Sequence, residues 1–277
     1  MTRRIALVGP GRAGGSVALA LTRAGHRVVA IAGRAADSPS VVGSAHRFGA
    51  QAVEVADAGV EVDLVLLAPP DDALEQVVEA VIPGLGSGTL VIHLSGARGL
   101  GVLHPIVEHG GGVAIGALHP LQSLPCVEVG AERLAGSWAA VAGDPEVVAL
   151  ALELGLEPFE IDDEHRAEYH AAACIASNHL VALLGQVDRV AASAGVPRAA
   201  FDPLIRSTID NVASMGARSA LTGPVARGDV RTVSAHLSAI PVGERRAYRA
   251  LADSARELAA LDDPELLALL TDRGSQC

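Results

Sequence analysis

Over roughly the first 160 residues, short runs of Val, Ile, Leu and Ala alternate with longer stretches in which apolar residues recur at helical spacing. The apolar runs at 5–8, 27–32, 51–55, 62–68, 89–94, 113–118, 138–142 and 157–161 read as strands. Helices fit 14–24, 40–48 and 71–81, the last capped by Asp71-Asp72, and a further one starts at Pro145. Apolar strands divided by helices predict a mostly parallel sheet covered on both faces. The strand pattern then stops. Asp162-Asp163-Glu164 opens a helix that the periodicity carries to Ala194, and helical stretches continue to about Leu270. The expected fold is α/β, an N-terminal doubly wound, mostly parallel sheet (1–161) followed by an all-α C-terminal domain (162–277).

Composition narrows the chemistry. The 277 residues carry a formal net charge of −11, which disfavours nucleic acid and anionic membranes as partners. All 21 basic residues are arginine, so no step can use a lysine amine. The three cysteines, Cys126, Cys174 and Cys277, have no metal-type spacing and suggest a reducing compartment. With no apolar run of spanning length and no signal segment ahead of the first strand, a cytoplasmic protein is expected.

The first strand runs into Gly9-Pro10-Gly11-Arg12-Ala13-Gly14, a G-x-G-x-x-G loop that opens a helix. In that context Gly9 makes the turn, Gly11 lets a pyrophosphate approach the backbone, and Gly14 allows close helix–strand packing. The helix N-terminus favours the phosphates. Ala68-Pro69, closing a later strand, joins the predicted cofactor surface. After the second strand, where an acidic residue would read the ribose of NAD, the chain has Ala32-Gly33-Arg34, with Ser38 and Ser40 behind. An arginine there suits the 2′-phosphate of NADP.

Other polar residues lie where ligands meet such folds. Ser95 ends a strand on the ligand edge and is either a substrate contact or a turn residue. His119, before Pro120, is either a proton donor or part of a shaped corner. His170, Cys174 and Asn178 follow one another at i, i+4 and i+8, so His170 and Asn178 give an alanine-rich helix a polar stripe. A buried histidine satisfied by its neighbours would look the same. Arg227 suits a carboxylate. Asp229 most simply caps the helix that follows it, and His236 is as easily a surface residue as a site residue.

Several strings support a family resemblance: the glycine loop, His93-Leu94-Ser95-Gly96-Ala97, Gly116-Ala117-Leu118-His119-Pro120-Leu121-Gln122, Tyr169-His170-Ala171-Ala172, Ser177-Asn178 and Leu221-Thr222-Gly223-Pro224-Val225-Ala226-Arg227-Gly228-Asp229. On these the chain resembles Rossmann-like proteins with a C-terminal helical domain of unknown function, relatives of the ketopantoate reductases and β-hydroxyacid dehydrogenases. The resemblance implies NAD(P)-dependent hydride transfer on small oxo- or hydroxyacids, a site between the domains and a homodimer. Many relatives place a lysine early in the long helix, with an asparagine one turn later; here His170 stands in its place. The expectation is therefore an NADPH-dependent reductase of a small acidic 2-oxoacid, ketopantoate-like, with His170, His119, Asn178 and Ser95 as the catalytic set. Ser95 and Arg227 would hold the substrate. Imino-acid reduction and a non-catalytic NADP-binding regulator are the alternatives.

Overall fold

The computed structural model describes residues 2–271; Cys277 lies outside them. Among the described residues the chain forms two compact units, Met1–Ser177 and Asn178–Cys277.

The first unit is built on one eight-stranded sheet of order β3-β2-β1-β4-β5-β6-β7-β8. Its strands are β1 (Arg4–Val8), β2 (Arg27–Ala32), β3 (Gln51–Ala52), β4 (Leu64–Leu67), β5 (Leu90–His93), β6 (Ala114–Pro120), β7 (Trp138–Gly143) and β8 (Glu157–Glu160). The strands from β3 to β6 run parallel, β7 turns antiparallel to β6, and β8 lies parallel to β7. Chain order reverses beside β1, the kind of switch point at which doubly wound sheets bind ligands at their carboxyl ends. The central strands are apolar at nearly every position because both faces are covered. One face packs Ile5, Leu7, Leu64, Leu66, Leu90 and Ile92 on residues such as Val17, Leu21 and Leu150. On the other, Val65, Leu67 and Val91 meet Leu74, Val78, Leu103 and Ile106.

The helices of this unit are α1 (Arg12–Arg23), α2 (Pro39–Phe48), α3 (Leu74–Val81), α4 (His104–His109), α5 (Val127–Arg133), α6 (Pro145–Glu153) and α7 (Arg166–Cys174). α4 and α5 lie where sequence periodicity gave no helix. The third strand is shorter than expected, because Val55–Asp57 turns into a single 3-10 turn. Asp71 and Asp72 do not cap α3; they sit in the preceding turn, and the helix starts at Leu74 with no side-chain cap. The predicted helix 162–194 is present in four pieces: a 3-10 turn at Asp163–His165, then α7, then a π-helical turn at Ile175–His179 that leads into α8 (Leu180–Ser193).

The second unit is helical: α8, α9 (Asp202–Met215), α10 (Ala217–Ala220), α11 (Val230–Ala239), α12 (Arg245–Leu258) and α13 (Pro264–Thr271). Its core is small, formed by Val233, Leu237, Ala252, Leu266 and Leu270. Asp229 does cap α11, accepting from the Thr232 backbone N–H at 3.0 Å. No helix among the described residues is long and apolar enough to cross a membrane.

Candidate functional site at the carboxyl edge of the sheet

The loop after β1 has three glycines with three different surroundings. Gly9 takes φ +87°, and a Cβ there would meet the Ala68 carbonyl and Pro69 nitrogen at 2.5–2.7 Å. Gly14 is closed in by the Gly9 carbonyl, Ala68 Cβ and Leu7 Cδ1 at 2.7–2.9 Å, so any side chain would part α1 from the sheet. Gly11 faces open space, with nothing within 4 Å of an added Cβ. Two glycines thus hold the turn shut, and the third leaves room at the N-terminus of α1. The first turn of α1 has no acidic residue to compete for an anion. Arg12 is exposed; Pro10 and Ala13 complete the loop. After β2, Arg34 is exposed, and the Ser38 hydroxyl is buried without a hydrogen-bond partner at the start of α2. An exposed cation in the loop after β2 suits a phosphoryl group.

Further along the same edge, the ends of β5 and β6 meet α7. His119, near the end of β6, lies with Nδ1 2.7 Å from the Tyr169 hydroxyl. Its ring makes edge-on contacts with Tyr169 and His170, at centroid distances of 5.6 and 5.8 Å. Phe159 of β8 braces Tyr169 from another side, at 5.7 Å. Gly96, just past β5, makes this approach possible. A Cβ at position 96 would stand 2.6 Å from His170 Nδ1 and 2.8 Å from His119 Nε2, so only glycine lets both rings close on this turn. His170 Nδ1 is buried and unpartnered, while Nε2 contacts Cys174 Sγ at 3.6 Å.

The electrostatics divide these groups. Burial, with contributions from His170 and the Arg166 cation, pushes His119 down to about 4, so its ring is neutral at neutral pH. Burial pushes the Tyr169 phenol up to about 12, which keeps it protonated and able to donate to His119. Ser95 has a turn role here, its Oγ accepting from the Arg98 backbone N–H at 3.0 Å, and its hydroxyl proton stays free to donate.

Thus His119, His170, Cys174 and the Ser95-Gly96 turn come together in the first unit. Asn178 falls in the π turn and is exposed. Arg227 is exposed in the second unit, and His236 pairs there with the Tyr248 hydroxyl at 2.8 Å. Sequence reasoning passed over Arg166 and His93, both essentially buried, and read Asp163 only as part of a helix start. Their signal was available: Arg166, Tyr169 and His170 stand at i, i+3 and i+4, on one face of α7.

An open, mostly parallel sheet with a glycine-lined anion cradle at its switch point defines a dinucleotide-binding type of α/β protein. Residues 2–120 match the Rossmann-like domain family, and residues 139–255 match the domain of unknown function DUF2520. The chain thus joins a Rossmann-like domain to a DUF2520 domain. No curated protein matches it. Among solved structures, a Bacteroides fragilis protein described as a candidate NADP oxidoreductase is similar over 92% of this chain and 98% of its own, with TM-score 0.79 and 22% identity. A Thermotoga maritima protein is 25% identical over the same shares, with TM-score 0.64. An imine reductase from a Pseudomonas species covers 98% of this chain and 92% of its own, with TM-score 0.61 and 17% identity.

Proposed function

We propose that this protein is an NADPH-dependent oxidoreductase that reduces a small 2-oxoacid, of ketopantoate-like size. One observation carries the reading: a single sheet edge has a glycine cradle and Arg34 at one end and the His119–Tyr169–His170 cluster, converging on Gly96, at the other. The description of the Bacteroides protein as an NADP oxidoreductase supports the same cofactor. Residues 9–14, Arg34, Ala68 and Pro69 would hold NADPH, which supplies hydride when bound. Residues 1–161 serve the cofactor, and 162–277 serve substrate binding and dimerisation.

The protein's own task is then the proton. Reduction of a carbonyl leaves an alkoxide that must be protonated as it forms. His119 is neutral and receives a hydrogen bond from Tyr169, which leaves Nε2–H beside Gly96 to orient the oxygen. The acid role falls to His170, whose Nδ1 lies beside the same glycine. Reduction of a C=N bond is the second reading, favoured by the likeness to the Pseudomonas imine reductase across nearly the whole chain. NADPH consumption with a panel of 2-oxoacids and imines tests both. Binding of NADPH without turnover of either class would leave a regulatory cofactor-binding protein instead.

Cofactor preference is a separate expectation. NADPH binds more tightly than NADH, and Arg34→Ala reduces that preference by about tenfold or more, because a charge-assisted contact to the 2′-phosphate is lost. Titration of both cofactors into both proteins checks it. Equal affinities in the wild type, or an unchanged ratio in the variant, would overturn the assignment.

A homodimer through the C-terminal helices belongs to the same proposal. α9 has no buried residue, and Leu204, Ile209, Val212 and Met215 are exposed along one broad side of it. An apolar helix face of this kind marks an interface. Sedimentation at micromolar concentration is expected to give a dimer, and Leu204→Asp with Val212→Asp a monomer; a monomeric wild type would refute it.

A further inference from the structure

Arg166 opens α7 with only 1% of its surface exposed. Its Nε donates to Asp163 Oδ1 at 3.1 Å, but Nη1 and Nη2 are both buried without a partner. Asp163 is itself engaged, accepting from the Leu100 backbone N–H at 3.2 Å. His93, fully buried at the end of β5, likewise has no partner at hydrogen-bonding geometry for either ring nitrogen. A buried guanidinium with one of its three nitrogens satisfied carries a desolvation cost that folded proteins do not leave uncompensated. The free edge is the Nη1–Nη2 fork, whose geometry matches the two oxygens of a carboxylate.

We propose that Arg166, assisted by His93, is the anchor for the carboxylate of the substrate, so that the protein takes 2-oxo or 2-imino acids rather than neutral ketones or imines. This rests on the oxidoreductase reading of the same edge and assigns its substrate class. Arg166 precedes Tyr169 and His170 by three and four residues on one helix face, so an acid held at its fork would have its C=O or C=N on the side of α7 that carries those two residues. The Arg166 charge is also felt at both His93 and His119, where it helps keep the rings neutral. A neutral His93 can donate one N–H to an anion while adding no second charge. Arg227 was the anchor that sequence alone pointed to. It is the rival.

The experiment uses the full chain, saturated with NADPH, and oxamate, an unreactive 2-oxoacid analogue. Oxamate is expected to bind saturably, moving the imidazole resonances of His93 and the guanidinium Nη resonances of Arg166. Arg166→Met should weaken that binding about hundredfold, as two charge-assisted hydrogen bonds are lost, and oxamate should not be replaceable by propionamide. Equal oxamate affinity in Arg166→Met would overturn the proposal, as would loss in Arg227→Met with retention in Arg166→Met. If Arg166→Met does not fold, the wild-type Nη resonances decide alone: no saturable shift means no anchor. Failure of NADPH itself to bind would instead refute the oxidoreductase reading, which keeps the two failures distinct.

Discussion

His170→Ala is expected to cut the rate of NADPH-dependent reduction about hundredfold or more while leaving NADPH affinity nearly unchanged. The expectation follows from the separation along the sheet edge. The glycine cradle and Arg34 belong to the β1 and β2 loops, whereas His170 reaches the edge on α7, beside the ends of β5 and β6. His119 lies at the same turn but is pushed down to about 4, so at neutral pH it has no imidazolium proton to give. Loss of His119 or of the Tyr169 hydroxyl should therefore cost orientation rather than the acid, and Tyr169→Phe should have the smaller effect. Single-turnover rates and a cofactor titration on the same preparations measure both quantities. If His170→Ala instead weakens NADPH binding or unfolds the protein, the residue is structural and is not the acid. Full activity in both histidine variants would remove histidine acid catalysis from the reaction.

The second large effect is on stability in acid. His93 is pushed down to about 4, chiefly by burial and then by the Arg166 cation, with the Gly99 backbone, Asp163 and Asp71 opposing. In the unfolded chain the same ring titrates near 6.5. Between those values the unfolded state binds the extra proton, so stability is complete above about pH 6.5 and is lost as pH falls toward 4. The shift corresponds to about 3 kcal/mol from this one residue. His93→Leu should remove that share of the acid sensitivity, and at pH 8 it should be no less stable than the wild type, since no unsatisfied ring nitrogen is left buried. Denaturant midpoints at pH 4.5 and 8 check this. Parallel losses in the two proteins would mean that the ring is already protonated in the native state.

Much of the architecture could be read from pattern, because it rests on local rules. Alternating apolar strands and helices gave the layered sheet. The three glycines of the first loop could be assigned separate tasks, since each task depends on neighbours close in sequence. The antiparallel β7 was less accessible: an apolar run such as Trp138–Gly143 has no directional signature. The π turn at Ile175–His179 was hidden for a related reason, because its residues keep a helical composition while the period changes. At the site, single residues with distinctive chemistry stood out, His119 and His170 among them. Arg166 did not, because an arginine in an acidic helix start reads as a solvated ion pair. Only its burial, with two nitrogens left unpartnered, sets it apart. Gly96 was seen as the end of a strand; that it lets two imidazoles close on its turn depends on residues more than twenty and more than seventy positions away.

The two ends of the sheet have a consequence for behaviour in concentrated solution. One border strand, β3, is two residues long, and the other, β8, reads Glu-Pro-Phe-Glu. Proline cannot donate to an added strand, and a glutamate on either side of the Pro-Phe pair penalises a second copy brought into register against it. Neither border offers a template on which sheets could grow into one another, so crowding should not drive this protein toward fibrils, and encounters between folded copies are left to helical surfaces.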